Sequence, residues 1–275
     1  MIRAFALLFR LKLSALNGIS ALAGYAMLPS PLEAIPACAA FGGVFLLAAG
    51  GSAVNQVMER DLDATMARTR QRPLPSGRLT ASQALAGGVI AIGSGLLLLV
   101  IAGDWKPALC GAAALAWYLR VYTPLKRLSS LALLAGAVCG AFPPLIGWCL
   151  GGGYAGDYRV IILASLLFLW QVPHFWLFQR RHAEDYRRAG IPLFGSRGVT
   201  AGTSGFFWLW MVALCAGAML MPAFNIIERP GSLWYALFPV PLLFLAFFRS
   251  GDLLFPYINC FPLLVTLLLM VQKHY

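Results

Sequence analysis

The chain has 275 residues, of which 60% are hydrophobic and only 11% charged, with a mean hydropathy of +0.77. A water-soluble domain carries about 25% charged residues, so one soluble core is excluded and the sequence must be read as membrane spans of roughly 20 apolar residues each. The net charge of +11 does not mark a nucleic-acid binder, because the basic residues sit at the ends of apolar segments, where they orient a membrane protein.

Taken in chain order, the apolar runs predict nine spanning helices in a single polytopic, all-α membrane domain over 1–275. Their limits are 13–29, 36–57, 81–102, 107–122, 130–150, 158–178, 201–223, 232–248 and 252–272. The fourth and eighth are short. Arg10 and Lys12 interrupt the first apolar run, and the run that follows is long enough to span, so the N-terminus does not read as a cleavable signal. Of the Lys and Arg residues, 17 fall in the N-terminus and the even-to-odd connections and only four on the opposite side. That asymmetry predicts a cytoplasmic N-terminus and cytoplasmic long loops, near 58–80 and 179–200. An odd number of spans then places the C-terminus outside. The inner membrane of a bacterium is the expected location. Six cysteines (38, 110, 139, 149, 215, 260) lie in apolar segments without a C-x-x-C pair, so neither a disulfide framework nor a zinc site is expected.

The two long loops share a faint echo. Ser76-Gly77-Arg78-Leu79-Thr80-Ala81 resembles Ser196-Arg197-Gly198-Val199-Thr200-Ala201, and at the same offset Asp63 falls near Asp185. The echo suggests two related halves facing each other.

The densest chemistry lies at the end of the second span. If that span continues as helix, Asn55, Glu59 and Asp63 fall at i, i+4 and i+8 and stack on one face. Magnesium takes oxygen ligands, typically one or two carboxylates plus phosphate oxygens. Asp61 points elsewhere, left to cap the helix or pair with an arginine. Arg68, Arg70, Arg72 and Arg78 follow at once, among Pro73, Pro75 and Gly77. Guanidinium groups grip phosphate oxygens in pairs. Together these are the parts of a site for a metal-bound diphosphate; the competing reading is a cluster of interfacial salt bridges that only orients the protein.

Further on, Tyr122-Thr-Pro-Leu-Lys126-Arg127 repeats the basic theme, as a counter-charge for a leaving diphosphate or as another orientation signal. The sixth span ends Trp170-Gln171-Val-Pro173-His174-Phe175. Pro173 frees the carbonyl of Leu169, so His174 or Gln171 either repairs that kink or faces a substrate. Glu184-Asp185 in the next loop offers one more metal ligand or plain solvated charge.

Asn55-x3-Glu59-x3-Asp63, with Arg68-Thr69-x-x-Arg72-Pro73-Leu74-Pro75-Ser76-Gly77 and Tyr122-x3-Lys126-Arg127, resembles the motifs of the UbiA-type membrane prenyltransferases. Three further strings resemble the heme-farnesylating branch of that superfamily. They are Glu59-Arg60-Asp61-x-Asp63-x-x-Met66-x-Arg68-Thr69, Gly140-Ala141-x-Pro143-Pro144-x-x-Gly147-Trp148, and Trp170-Gln171-x-Pro173-His174-Phe175 leading to Asp185-Tyr186-x-x-Ala189-Gly190-Ile191-Pro192. The chain departs from that pattern at Arg10-Leu-Lys12-Leu, where the family has Lys-Pro-Arg, and at Leu193-Phe194-Gly195, where it has Met-Leu-Pro. It departs again in the second acidic motif, where only Asp185 is clear and Arg181 stands four residues before it.

The resemblance implies a UbiA-like helical bundle with its site at the cytoplasmic side, farnesyl diphosphate as donor, and the vinyl group of heme b as acceptor, giving heme O. It implies Mg2+ on Asn55, Glu59, Asp63 and Asp185. Arg68, Arg72, Lys126 and Arg127 would hold the diphosphate, and His174, Trp170 and Tyr122 would face the acceptor. Membrane lipid surrounds such a bundle, and its product passes to a heme A synthase or a terminal oxidase. The alternatives are the same fold acting on an aromatic or quinone-precursor acceptor, and a non-catalytic membrane heme carrier.

Overall fold

The structure, a computed structural model, describes residues 1–194, 205–228, 231–248 and 251–272. Arg197, Arg229, Arg249 and Lys273, and the echo string from Ser196 to Ala201, lie outside the described residues. All regular structure among the described residues is helical.

Helices α1 (Ile2–Leu8) and α2 (Leu11–Ala26) are one apolar run broken by a 51° bend. Next come α3 (Ala34–Met58), the short α4 (Arg60–Thr65) and α5 (Ala81–Ala102). The fourth span is a single rod of three parts: α6 (Trp105–Ala116), a π-helical stretch (Trp117–Tyr122) and α7 (Thr123–Leu128). The second half contains α8 (Ala132–Leu150), α9 (Tyr158–Arg181), the short α10 (Ala183–Arg188), α11 (Gly205–Ala223), α12 (Gly231–Ala236), α13 (Pro239–Phe247) and α14 (Gly251–Gln272). Six of these helices are long and apolar enough to cross a bilayer, and the bent α1–α2 pair makes a seventh. The two short predicted spans are the broken rod at α6–α7 and the pair α12–α13.

The helices form a closed ring in chain order. Each of α2, α3, α5, α6, α8, α9, α11, α13 and α14 packs on the next, and α14 returns to α2. Neighbours in sequence are thus neighbours in space, as short connections demand. The strongest contact across the ring is α2 against α8, and it depends on glycine. A Cβ on Gly24 would meet the backbone of Pro144, and one on Gly147 would meet the carbonyl of Ala21. Without an apolar solvent gradient between helices, such close backbone approach is what holds a membrane bundle together.

The outward faces are apolar. On α5, Leu85, Val89, Ile90, Leu97, Val100 and Ile101 are exposed, and on α11, Phe206, Leu209 and Val212. Helices satisfy every backbone group internally, which suits them to this environment. The chain is an integral membrane protein. Its helix ends carry polar caps: Thr80 and Gln83 form a capping box at α5, and Asp104 and Asp157 accept from Lys106 N and Arg159 N at α6 and α9.

Candidate active site

Inside the ring, a cavity of about 230 Å³ opens where α2, α3–α4, the π segment and α7, α8 and α9 meet. Four cations line it, Arg10, Arg68, Arg72 and Lys126, against two carboxylates, Glu59 and Asp63. Leu13, Leu62, Met66, Tyr122, Leu133, His174, Phe175, Phe178, Gln179 and Tyr186 supply much of the remaining wall.

The second span does not continue as one helix, contrary to the sequence expectation. It breaks at Glu59 (φ −105°, ψ 17°), and α4 begins at Arg60. The ladder survives the break: Glu59 N donates to Asn55 O (2.9 Å) and Asp63 N to Glu59 O (2.8 Å). The three residues therefore keep their fourfold spacing, and all three are buried. Asn55 stands behind the cavity wall, where its amide donates to Thr123 Oγ1 at 3.1 Å and ties α3 to α7.

Both carboxylates of the cavity are covered by cations. Lys126 Nζ donates to both oxygens of Glu59 (3.0 and 2.9 Å), and Arg72 Nη1 to both oxygens of Asp63 (2.8 and 2.7 Å). The Lys126 ammonium keeps little contact with water, its charge set against that of Glu59. The pKa of Arg72 is lowered first by burial and then by the charge of Arg10, against Asp63. Cations so poorly hydrated gain strongly from an anion that joins them. Arg68 lies over the Phe178 ring at 5.1 Å, its charge at the cavity edge.

Asp185 reaches this region across 118 residues of sequence, but its two oxygens are engaged. They accept the backbone N–H groups of Ala67 (2.9 Å) and Arg68 (3.2 Å). Burial opposes its ionisation, and these backbone donors together with Arg68 more than offset it, so its pKa lies below the ordinary aspartate value. Below it, Met66, Tyr186 and Ile191 form a small buried cluster against Phe178. In this structure Asp185 anchors the loop that carries Arg68 and Arg72.

Arg127 and Trp170 lie away from the cavity. Arg127 does not face the cavity; its guanidinium pairs with Asp61 at 2.7 Å on the exposed side and donates to Met58 O. Adjacent residues on a helix point about 100° apart, so Lys126 and Arg127 cannot share a target. Trp170 does not line the cavity either: its indole donates to Ile258 O at 2.6 Å and its ring stacks on His174, 4.9 Å between centroids. His174 does reach the cavity, held between Trp170 and Phe255 (5.5 Å), with a buried Nδ1 that has no hydrogen-bond partner. Gln171 does not serve as the kink's repair; it fills the space that a Cβ on Gly140 would need. Tyr122 lines the cavity, its ring stacked on Tyr118 (5.7 Å) and 6.0 Å from Lys126 Nζ.

In the sequence Arg10 is an orientation charge, a break in the first apolar run and a departure from the family motif, with nothing that marks it as a site residue. It sits in the cavity because it occupies the bend between α1 and α2, with φ at +44°. The available signal was an arginine interrupting an apolar run just ahead of a span.

The donor set suits a hard cation that shares its coordination with phosphate. Among the described residues no group of three or more His, Cys, Asp or Glu side chains is gathered around one metal position. Two carboxylates beside four cations are instead the complement of a metal carried on a diphosphate.

An all-helical membrane ring around a charged cavity is the frame of a membrane-embedded transferase, and the chain belongs to the UbiA prenyltransferase family, which matches residues 17–255. The protoheme IX farnesyltransferase of Geobacter sulfurreducens is 56% identical over 96% of this chain and 97% of its own length. The protoheme IX farnesyltransferase of Oleidesulfovibrio alaskensis is 39% identical over 83% of this chain and 80% of its own. The fold matches an apo UbiA homologue from Aeropyrum pernix (TM-score 0.79, 18% identity, covering 95% and 98% of the two chains). It also matches an Archaeoglobus fulgidus UbiA homologue bound to GPP and Mg2+ (TM-score 0.71, 13% identity, 99% and 100% covered).

Proposed function

We propose that this chain transfers the farnesyl group of farnesyl diphosphate to the vinyl group of heme b, with addition of water, giving heme O and diphosphate. The observation that carries the reading is the pairing of two buried carboxylates with four cations in one cavity beside His174. The names of the similar proteins supply the acceptor and the prenyl chain.

Glu59 and Asp63 would hold Mg2+, with Asn55 and Asp185 behind them keeping α3, α7 and the arginine loop in register. The ion's chemistry when bound is to neutralise the diphosphate as its ester bond to the prenyl carbon breaks. Lys126 and Arg72 turn from their carboxylates to phosphate oxygens, joined by Arg68 and Arg10, and stabilise the leaving group. The ring of Tyr122, which lines the cavity 6.0 Å from Lys126 Nζ, would stabilise the carbon that becomes cationic. The terminal vinyl carbon of heme b attacks that carbon, and water closes the resulting cation next to the porphyrin and releases a proton. His174, whose ring lines the cavity between Trp170 and Phe255, would orient the acceptor. The cavity faces the cytoplasm, as the basic loops require, and a heme A synthase or terminal oxidase takes the product.

The acceptor is tested by competition. Purified protein in lipid discs is given farnesyl diphosphate, magnesium and an equimolar mixture of heme b and 4-hydroxybenzoate. Farnesyl carbon found only on heme supports the proposal. Farnesyl carbon on the aromatic acid moves the chain to the aromatic-acceptor class.

A further inference from the structure

The bend that brings Arg10 into the cavity is held from outside. An unbroken helix from α1 into α2 would satisfy the carbonyls of Leu8 and Phe9 with the N–H groups of Lys12 and Leu13. The positive φ of Arg10 removes those donors. Each carbonyl instead receives a side chain: Gln56 Nε2 donates to Leu8 O at 2.6 Å, and Ser14 Oγ to Phe9 O at 2.8 Å. Both donors are fully buried.

Arginine gains nothing from a left-handed backbone, and such a conformation persists only where its surroundings impose it. Gln56 also tolerates a cost of its own, since its Oε1 is buried without a partner. A leucine would fill the same space without that cost, so the amide is retained for its N–H end.

We propose that Gln56, assisted by Ser14, is a positioning residue: it clasps the end of α1 so that the Arg10 guanidinium lies among the phosphate-binding cations. The proposal rests on the reading of this cavity as a metal–diphosphate site. Gln56 lies next to Asn55 near the end of α3, just ahead of the break at Glu59, so the helix end that leads into the two carboxylates also fixes Arg10.

The test is a double-mutant cycle on the full chain in lipid discs. Affinity for magnesium pyrophosphate is read by calorimetry, and KM by farnesyl transfer. Arg10→Gln and Gln56→Leu each weaken pyrophosphate binding about tenfold and raise the KM for farnesyl diphosphate in step, leaving the KM for heme unchanged. The double variant is no worse than Arg10→Gln alone, because Gln56 acts through Arg10. Multiplying losses in the double variant, or unaltered affinity in Gln56→Leu, overturns the clasp. If Gln56→Leu does not fold, Ser14→Ala replaces it: a several-fold loss that disappears in the Arg10→Gln background supports the clasp, and an equal loss in both backgrounds overturns it. Wild-type protein that binds no magnesium pyrophosphate overturns the diphosphate reading, and the clasp with it.

Discussion

Lys126 and Glu59 form a buried ion pair, and removing one partner of such a pair strands the other charge at a cost of about 3–5 kcal/mol. Lys126→Met is therefore expected to lower the unfolding temperature in detergent, and Lys126→Met/Glu59→Gln to recover most of it. Turnover recovers in neither, because both groups are needed once diphosphate arrives. Thermal unfolding and product assay on the same samples separate the two effects. The neighbouring pair behaves differently. Arg127 and Asp61 are largely exposed, and exposed pairs contribute roughly 0–1 kcal/mol. Arg127→Ala is expected to change turnover less than threefold, whereas Arg72→Ala loses a factor of roughly 10² or more. Similar losses from both would return Arg127 to the site.

At the scale of elements, the fourth span shows what the sequence conveys and what it withholds. The apolar run 107–122 and the Tyr122-to-Lys126 motif were both readable, since hydropathy and charge are local properties. The π-helical stretch at the end of that run, Trp117–Tyr122, was not, because a wider turn leaves no mark on composition. It decides which of Lys126 and Arg127 meets Glu59. Inserting an alanine after Leu125, beyond the stretch, should turn Lys126 and Arg127 by about 100° around the helix axis and carry Lys126 away from Glu59. Activity is then lost while membrane insertion persists, measured by farnesyl transfer and by membrane fractionation. The acids at the end of α3 were legible for the opposite reason: carboxylates at helical spacing beside an apolar run have no hydropathic cause. Their helix break was hidden because the hydrogen-bond ladder runs through it unchanged. Arg10 stayed hidden because its place depends on Gln56, 46 residues away. Gly147→Ala is expected to force α2 and α8 apart at Ala21, costing about 1–3 kcal/mol, with unfolding temperature as the readout.

Across the whole molecule, the ring in chain order explains how two distant loops build one site. Closing α14 onto α2 brings the halves face to face, and Asp185 then meets Ala67 and Arg68. The echo between the loops suggested that meeting; the part of it from Ser196 to Ala201 lies outside the described residues. The charge asymmetry adds an orientation that helices alone do not carry. Single cysteines introduced at Arg70 and at Gly156, in a background without native cysteines, should react with an impermeant maleimide from opposite sides of inverted and right-side-out vesicles. Labelling of both from one side would contradict the orientation proposed from the charge asymmetry.

The central claim is prenyl transfer to heme in the cavity built by Glu59, Asp63, Arg72 and Lys126. The most direct test is mass spectrometry of hemes extracted from a membrane that makes no heme O of its own, after supplying the protein, heme b and farnesyl diphosphate. The account predicts hydroxyethylfarnesyl heme that requires magnesium and disappears with Asp63→Asn. Unmodified heme b from folded, inserted wild-type protein, or full product from Asp63→Asn, would contradict it.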